Sequence, residues 1–241
     1  MSATLRRAMV LAAGRGERMR PLTDTRPKPL IAVGGRAMLD RALDALVRAG
    51  VEATVVNLHH LGEMIAQHLA VRAAPRIHLS RETTLLDTGG GVTAALSQLG
   101  PAPFFVVNGD VVWTDGPTPA LSRLAAAFEP DRMDALLLLV RREAAVGFDG
   151  AGDFYLEAEG RAVRRGARAS APFVFGGLQV LAPALFADAP SGAFSLNLLY
   201  DRAAQRGRLC GLVHDGDWLH VGTPQGLDLA EKALARLEGR G

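Results

Sequence analysis

Short apolar runs rich in valine and leucine recur along the 241-residue chain with helical patterns between them, and this alternation limits the fold more than any other feature. The runs are AMVLAA (8–13), ATVVNL (53–58), RIHL (76–79), FFVVNGD (104–110) and DALLLLV (134–140). Between the first two, AMLDRALDALVRAG sets apolar residues at 38, 39, 42, 43, 46 and 47, one stripe of a helix, and its Gly50 suits a helix C-terminus. Apolar strands alternating with amphipathic helices predict a mainly parallel sheet covered on both faces. After residue 140 the rhythm changes. DFYLEAEGRAV (153–163) and FVFGGLQVL (173–181) read as strands without a long helix between them, hence antiparallel or peripheral, and helices return near 195–206 and 224–237.

A chain of this length is within the reach of one hydrophobic core, so one domain over 1–241 is expected, with a small appended lobe. A net charge of +2 is too weak for phosphate-backbone binding, and the densest basic run, RAVRRGARA (161–169), has no aromatic residue to stack on bases. That run reads as a solvated strand or loop, and no nucleic-acid partner is expected. The single cysteine, Cys210, cannot form an internal disulfide, and MSATLRRAMVLAAGRGER lacks a signal-peptide core. The long apolar segment at 171–187 is broken by Gly176, Gly177, Gln179 and Pro183, so it reads as a core strand, a turn and a short helix. A cytoplasmic protein with no membrane partner is expected, a monomer or weak homodimer.

In open α/β sheets ligands bind beyond the carboxyl ends of the strands, which directs attention to the loop AAGRGERMRPLTDTRPKPL (12–30). Gly14 and Gly16 let backbone amides approach a ligand, as a phosphate requires. The third glycine of a dinucleotide fingerprint would fall on Met19, and no Gly-Lys-Ser/Thr closes a P-loop, so a Rossmann oxidoreductase fits badly. Instead the loop supplies Arg15, Arg18 and Arg20. It ends on Lys28, one of only two lysines among 27 basic residues, held between Pro27 and Pro29. Several cations around an amide cradle suit a polyphosphate and its transition state, though a glycine turn with surface arginines has the same composition. Asp110, just past the run FFVVNGD, stands where a carboxylate can hold Mg²⁺ against phosphate oxygens.

LAAGRGERMRPLT with the following PKPL resembles the signature of the sugar-1-phosphate nucleotidyltransferases, and Asp110 matches the principal metal ligand of that family. The likeness extends over nearly the whole chain through LHHLGEMIAQHL, LLDTGGGV, VNGDVVWTD, GDFYL, GLQVLAPALF, GAFSLNLLYDRAAQRGRLCG and VGTP. It is nearest to the N-acetylmuramate-1-phosphate uridylyltransferases of cell-wall recycling. The resemblance implies a Rossmann-like three-layer α/β fold of the nucleotide-diphospho-sugar transferase type, with a nucleotide-binding half (1–140) and a sugar-phosphate-binding half (141–241). It gives Arg18, Lys28 and Asp110 the catalytic roles, and nucleotide binding to Ala12, Ala13, Gly14, Gly16, Glu82, Gly89 and Gly90. Sugar contacts fall to Asn108, Asp153, Gly176 and Gly177, although Asp153 equally suits a turn cap.

The family's second metal aspartate lies in a WxDxGT segment, where this chain has WLHVGT with His220. His220 is therefore either a metal ligand beside Asp110, one that would admit Mn²⁺ as well as Mg²⁺, or a neutral wall of the site. Asp217, three residues away, would point to the opposite face of a regular strand. The glycines of TGGG read either as backbone presented to a base edge or as a helix N-terminus. The implied reaction joins an NTP, UTP by resemblance, to a sugar 1-phosphate and releases pyrophosphate. Spacing does not separate muramic acid from mannose, so guanylyl transfer to mannose 1-phosphate stays open, as does cytidylyl transfer to a small alcohol phosphate. A noncatalytic nucleotide-sugar sensor is the reading from another class.

Overall fold

The computed structural model describes residues 5–238. In chain order the first half runs β1 (Arg7–Leu11), α1 (Leu22–Thr25), the hairpin β2 (Ala32–Val33) and β3 (Arg36–Ala37), α2 (Met38–Arg48), β4 (Ala53–Leu58), α3 (Gly62–Leu69), β5 (Arg76–Arg81), α4 (Asp87–Leu99) and β6 (Phe104–Asn108). The second half runs β7 (Val112–Trp113), α5 (Ala120–Ala127), β8 (Ala135–Arg141), β9 (Ala145–Val146), β10 (Phe154–Leu156), β11 (Ala162–Arg164), β12 (Phe173–Leu181), α6 (Asn197–Gln205), β13 (Leu209–Val213), β14 (Trp218–Leu219) and α7 (Pro224–Glu238).

The period-2 geometry of a strand divides each apolar run between two cores. Ala8 and Val10 of β1, Phe105 and Val107 of β6, and Leu136 and Leu138 of β8 pack with α2, α3 and α5. The intervening Met9, Phe104, Val106, Ala135 and Leu137 pack on the other face with α4 and α6. Three layers follow, and each fully buried large side chain contributes about 1.5–3 kcal/mol. This is the expected α/β architecture. No helix among the described residues is long and apolar enough to cross a membrane.

β1 is parallel to both β4 and β6, and β5 is parallel to β4. The chain thus winds outward from β1 on both sides, which opens a crevice over the end of β1 at a topological switch point. β12 lies antiparallel between β6 and β8, so the antiparallel strand foreseen after residue 140 is central rather than peripheral. Its register against β8 shifts between Phe175 and Gln179, the stretch that contains Gly176 and Gly177. The hairpin β10–β11 forms the sheet edge there and carries the basic run, with Arg161 and Arg168 exposed.

A buried polar pair joins β12 to α6. Gln179 is fully enclosed, its carbonyl accepts the Tyr200 hydroxyl at 2.5 Å, and its side-chain nitrogen has no partner among the described residues. Burial pushes the Tyr200 phenol well above its usual value, which keeps it a donor. Tyr200→Phe should therefore cost about 1–3 kcal/mol in urea unfolding, because the whole amide is then buried unpaired. Adding Gln179→Leu should return most of that loss, since both partners are then apolar.

Candidate active site

Beyond β1 the chain enters the crevice through the buried residues Ala12 and Ala13 and turns at Gly16, which is left-handed at φ 64°. A Cβ at Gly16 would lie 3.0 Å from Thr23 Cγ2 and 3.1 Å from Lys28 Cβ, so the turn needs glycine for space as well as conformation. The buried Thr23 hydroxyl donates to the Gly16 carbonyl at 2.9 Å. A single 3₁₀ turn, Glu17–Met19, follows. Met19 is wholly enclosed among Ile31, Val33, Met38, Val112 and Leu219, and so anchors the turn that carries Arg18.

Lys28 emerges between its two prolines with 8% of its surface exposed and donates to Asp110 Oδ2 at 2.7 Å. Asp110 reaches it because the Gly109 amide donates to the Leu11 carbonyl at 2.9 Å, and a Cβ at Gly109 would sit within 2.9 Å of that same oxygen. The bare backbone of Gly109 thus brings the ends of β1 and β6 together. The ammonium is nearly enclosed while Asp110 keeps 35% of its side chain exposed, so removal of Asp110 is the costly change, because it leaves the buried cation uncompensated. Asp110 Oδ1 has no protein donor among the described residues.

These segments bound a cleft of about 660 Å³, within the size range of small-molecule sites. Its walls include Ala12, Ala13, Gly14, Gly16 and Arg18, then Lys28, Asn108 and Asp110. These eight, with Arg15 of the same loop, were singled out in the sequence and meet in one place. Asn57, Leu85, Asp87, Thr88 and Gly222 line it too and were not anticipated. Asn57 was readable as the amide side chain near the end of the apolar run ATVVNL, and in the structure it is buried. Asp87 takes a left-handed φ of 58°, uncommon for a residue with a side chain.

Glu82, Gly89, Gly90, Asp153, Gly176 and Gly177 are not among the residues that line this cleft. Gly89 and Gly90 are buried in the first turn of α4, and both amides donate to the Phe194 carbonyl, at 2.8 and 3.1 Å. TGGG is thus the opening of a helix on which the segment around Phe194 is seated. Glu82 is buried, its carboxylate taken by Asn57 Nδ2 and the Leu86 amide. Asp153 Oδ2 accepts the Phe175 amide at 2.9 Å, a backbone cap within the β10–β12 edge. The Gly176 carbonyl accepts the Trp218 indole N–H at 2.9 Å. Gly177, left-handed at φ 78°, leaves room for Val111 and for Asn108.

His220 stands immediately behind Gly222, where any Cβ would run into the imidazole. The ring stacks on Trp218 with centroids 5.6 Å apart and meets Phe148 edge-on at 5.6 Å. Burial, then the positive charges of Lys28 and Arg18, hold its pKa below the ordinary histidine value, against a smaller opposing pull from Asp110. No group of three or more His, Cys, Asp or Glu side chains arranged for a metal occurs among the described residues. A cation here would take few protein ligands and fill its shell with phosphates and water, as Mg²⁺ commonly does, and the open Asp110 oxygen fits that pattern.

The nucleotidyl transferase family model matches residues 7–150. The chain is 45% identical over 240 residues to the N-acetylmuramate alpha-1-phosphate uridylyltransferase of Caulobacter vibrioides, covering 98% of this chain and 99% of that one. It is 37% identical over 221 residues to the protein of the same name from Neisseria meningitidis serogroup B, covering 90% and 93%. Among solved structures, UDP-glucose pyrophosphorylase complexed with UDP-glucose superposes with a TM-score of 0.78 at 16% identity, covering 96% and 99%.

The surroundings of His220 give a direct test by proton NMR of the metal-free protein, with His220→Gln to assign the signal. The ring should titrate below the ordinary value of 6.5 and so be neutral at pH 7. Lys28→Met removes a repelling charge and should raise the midpoint, whereas Asp110→Asn should lower it further. A midpoint at or above 6.5 would mean that the ring is hydrated and not enclosed as described.

Proposed function

Because the chain belongs to the nucleotidyl transferase family, we propose that it joins UTP to N-acetylmuramate 1-phosphate, forming the UDP-sugar and pyrophosphate. The observation that carries this reading is the convergence of Arg18, Lys28 and Asp110 on a cleft walled by the glycine-rich loop. The choice of base and sugar rests on the near-full-length similarity to two relatives that carry that name.

A phosphate oxygen of the sugar 1-phosphate attacks the α-phosphorus of the triphosphate, and the bond to the β-phosphate oxygen breaks as pyrophosphate departs. The nucleophile is already an anion at neutral pH, so no side chain needs to take a proton. Catalysis then consists of positioning and charge stabilisation. Lys28 provides a compact, fixed ammonium for the oxygens at the reacting phosphorus, where a planar guanidinium would demand a two-point fit. Arg18, on its anchored turn, takes up charge on the leaving pyrophosphate. The amides from Ala13 to Gly16 supply further donors. Asp110, with His220 as the second candidate, would hold a divalent cation, Mg²⁺ or Mn²⁺, whose chemistry is to neutralise phosphate charge.

Residues 1–140 form the nucleotide-binding half and 141–241 the sugar-phosphate-binding half in this reading. Asn108 offers its amide to sugar hydroxyls from the cleft wall. Asp153, Gly176 and Gly177 act mainly by shaping β12, the strand paired with β6.

Pyrophosphate release should be greatest with UTP and N-acetylmuramate 1-phosphate when UTP, GTP, CTP and dTTP are crossed with muramic, mannose and glucose 1-phosphates, in Mg²⁺ and in Mn²⁺. Asp110→Asn and Lys28→Met should each lower kcat by roughly a hundredfold to a thousandfold, the scale of losing one preorganised charge. Full turnover by Asp110→Asn would overturn the mechanism. Turnover confined to GTP with mannose 1-phosphate would keep the mechanism and replace the substrates.

A further inference from the structure

We propose that Asn57 and Glu82 are a positioning pair that holds two walls of the cleft in register and so sets its affinity for the nucleotide, with Glu82 acting through Asn57 and the Leu86 amide rather than touching the ligand. The inference rests on the reading of the cleft as a nucleotide site. It goes beyond that reading by giving the pair a role that follows from the direction of its hydrogen bonds.

Asn57 is the fifth of six residues in β4, a strand otherwise occupied by apolar side chains and Thr54, and it is 3% exposed. Glu82 follows the last residue of β5 and is 8% exposed. A buried carboxylate is tolerated when hydrogen bonds replace its water, and here both oxygens are supplied. Asn57 Nδ2 donates to Glu82 Oε1 at 2.7 Å, and the Leu86 amide donates to Oε2 at 3.0 Å. At the other end of the pair, Asn57 Oδ1 accepts the Ala12 amide at 2.7 Å. α4 closes over the pair so tightly that a Cβ at Gly91 would lie 3.0 Å from both Asn57 Nδ2 and Glu82 Oε1.

The polarity of this relay is fixed at each step. A backbone N–H can only donate, so Asn57 must turn its oxygen to Ala12 and its nitrogen to Glu82. Glu82 must then accept at both of its terminal atoms, which a carboxylate can do and an amide, with one oxygen and one NH₂, cannot. Ala12 is the first residue of the loop that surrounds the cleft, and Leu86 lies between the cleft-lining residues Leu85 and Asp87. The pair therefore clamps the glycine-rich loop to the entrance of α4 across the end of the sheet. The remaining loop amides are left facing the ligand.

The polarity argument supplies its own test. Asn57→Asp sets two carboxylates against each other, and Glu82→Gln turns an NH₂ towards a donor. Combined, the two substitutions reverse the relay: the new carboxylate accepts from Ala12 and from the new amide, whose carbonyl accepts from Leu86. Every hydrogen bond and the single negative charge are kept.

The four proteins would be compared by UTP Kd from calorimetry, KM for UTP and for the sugar phosphate, kcat, and Tm. Each single variant should weaken UTP by about tenfold to a hundredfold in Kd and KM, the scale of a buried group left unpaired. The change in kcat and in KM for the sugar phosphate should be much smaller, and the double variant should recover UTP affinity to within about threefold. Single variants that lose Tm but bind UTP normally would overturn the proposal, leaving the pair a packing element. A double variant as weak as the singles would overturn it as well. A wild-type chain that binds UTP without turning it over would sink the transferase reading instead, and the pair would then be judged on Kd alone.

Discussion

An ammonium withdrawn from water has to meet an anion, and the site is arranged around that requirement at Lys28. The two prolines limit where the backbone of residue 28 can run, and Gly16 leaves space for its Cβ. The anion comes from a distant part of the chain, Asp110, and arrives because Gly109 permits β6 to finish against the end of β1. Parallel pairing of those two strands is therefore a condition of the chemistry. It also explains why the loop after β1 and the turn after β6, far apart in sequence, act as one unit. The same pair keeps the cation poised near the cleft without a ligand, since the phosphates need only compete for an ammonium already in place.

How much of this could be read in advance depended on whether the cause was local. Each of the five apolar runs became or contained a strand; in β1, β4, β6 and β8 burial on both faces demands continuous apolarity, and that demand is written in the residues themselves, whereas β5 is a part-exposed edge strand that keeps Arg76 and His78. Lys28 was conspicuous because the chain otherwise uses arginine, Lys232 excepted. Asp110 was legible from its place after an apolar run. TGGG was ambiguous for the opposite reason. Gly89 and Gly90 are required by Phe194 and Gly192, about a hundred residues later, and Gly91 by Asn57 and Glu82, and no local pattern announces those contacts. Glu82 was marked as a nucleotide contact by resemblance alone. Its burial and its two donors, both properties of the folded chain, point to a role behind the wall.

The contact at TGGG also bears on how the two halves cohere. The Phe194 carbonyl takes the Gly89 and Gly90 amides, the Phe194 amide donates to Leu86, and the Leu196 amide donates to Thr88 Oγ1 at 2.9 Å. A strap from the second half is thus fastened across the opening turn of α4, beside cleft-lining residues of the first. Side chains on Gly89 or Gly90 would lift that strap. The glycine run serves close approach of chain to chain, a need that a base edge would also impose but that is met here within the protein.

The histidine in the WLHVGT segment is best understood with its neighbours. Trp218 offers a ring face to residue 220, and aromatic faces carry negative charge density that repels an anion. A carboxylate in the same place would be pressed against that face, desolvated, with the positive charges of Lys28 and Arg18 on one side as its only relief. A neutral imidazole meets none of these costs. It stacks on the indole, presents itself to the edge of Phe148, and is kept neutral by the burial and cations that lower its pKa. The departure from the aspartate of the resembling signature and the aromatic box around it therefore belong together. They leave Asp110 as the carboxylate that pairs with Lys28, and a phosphate at that pair meets one negative side chain where an aspartate at 220 would add another.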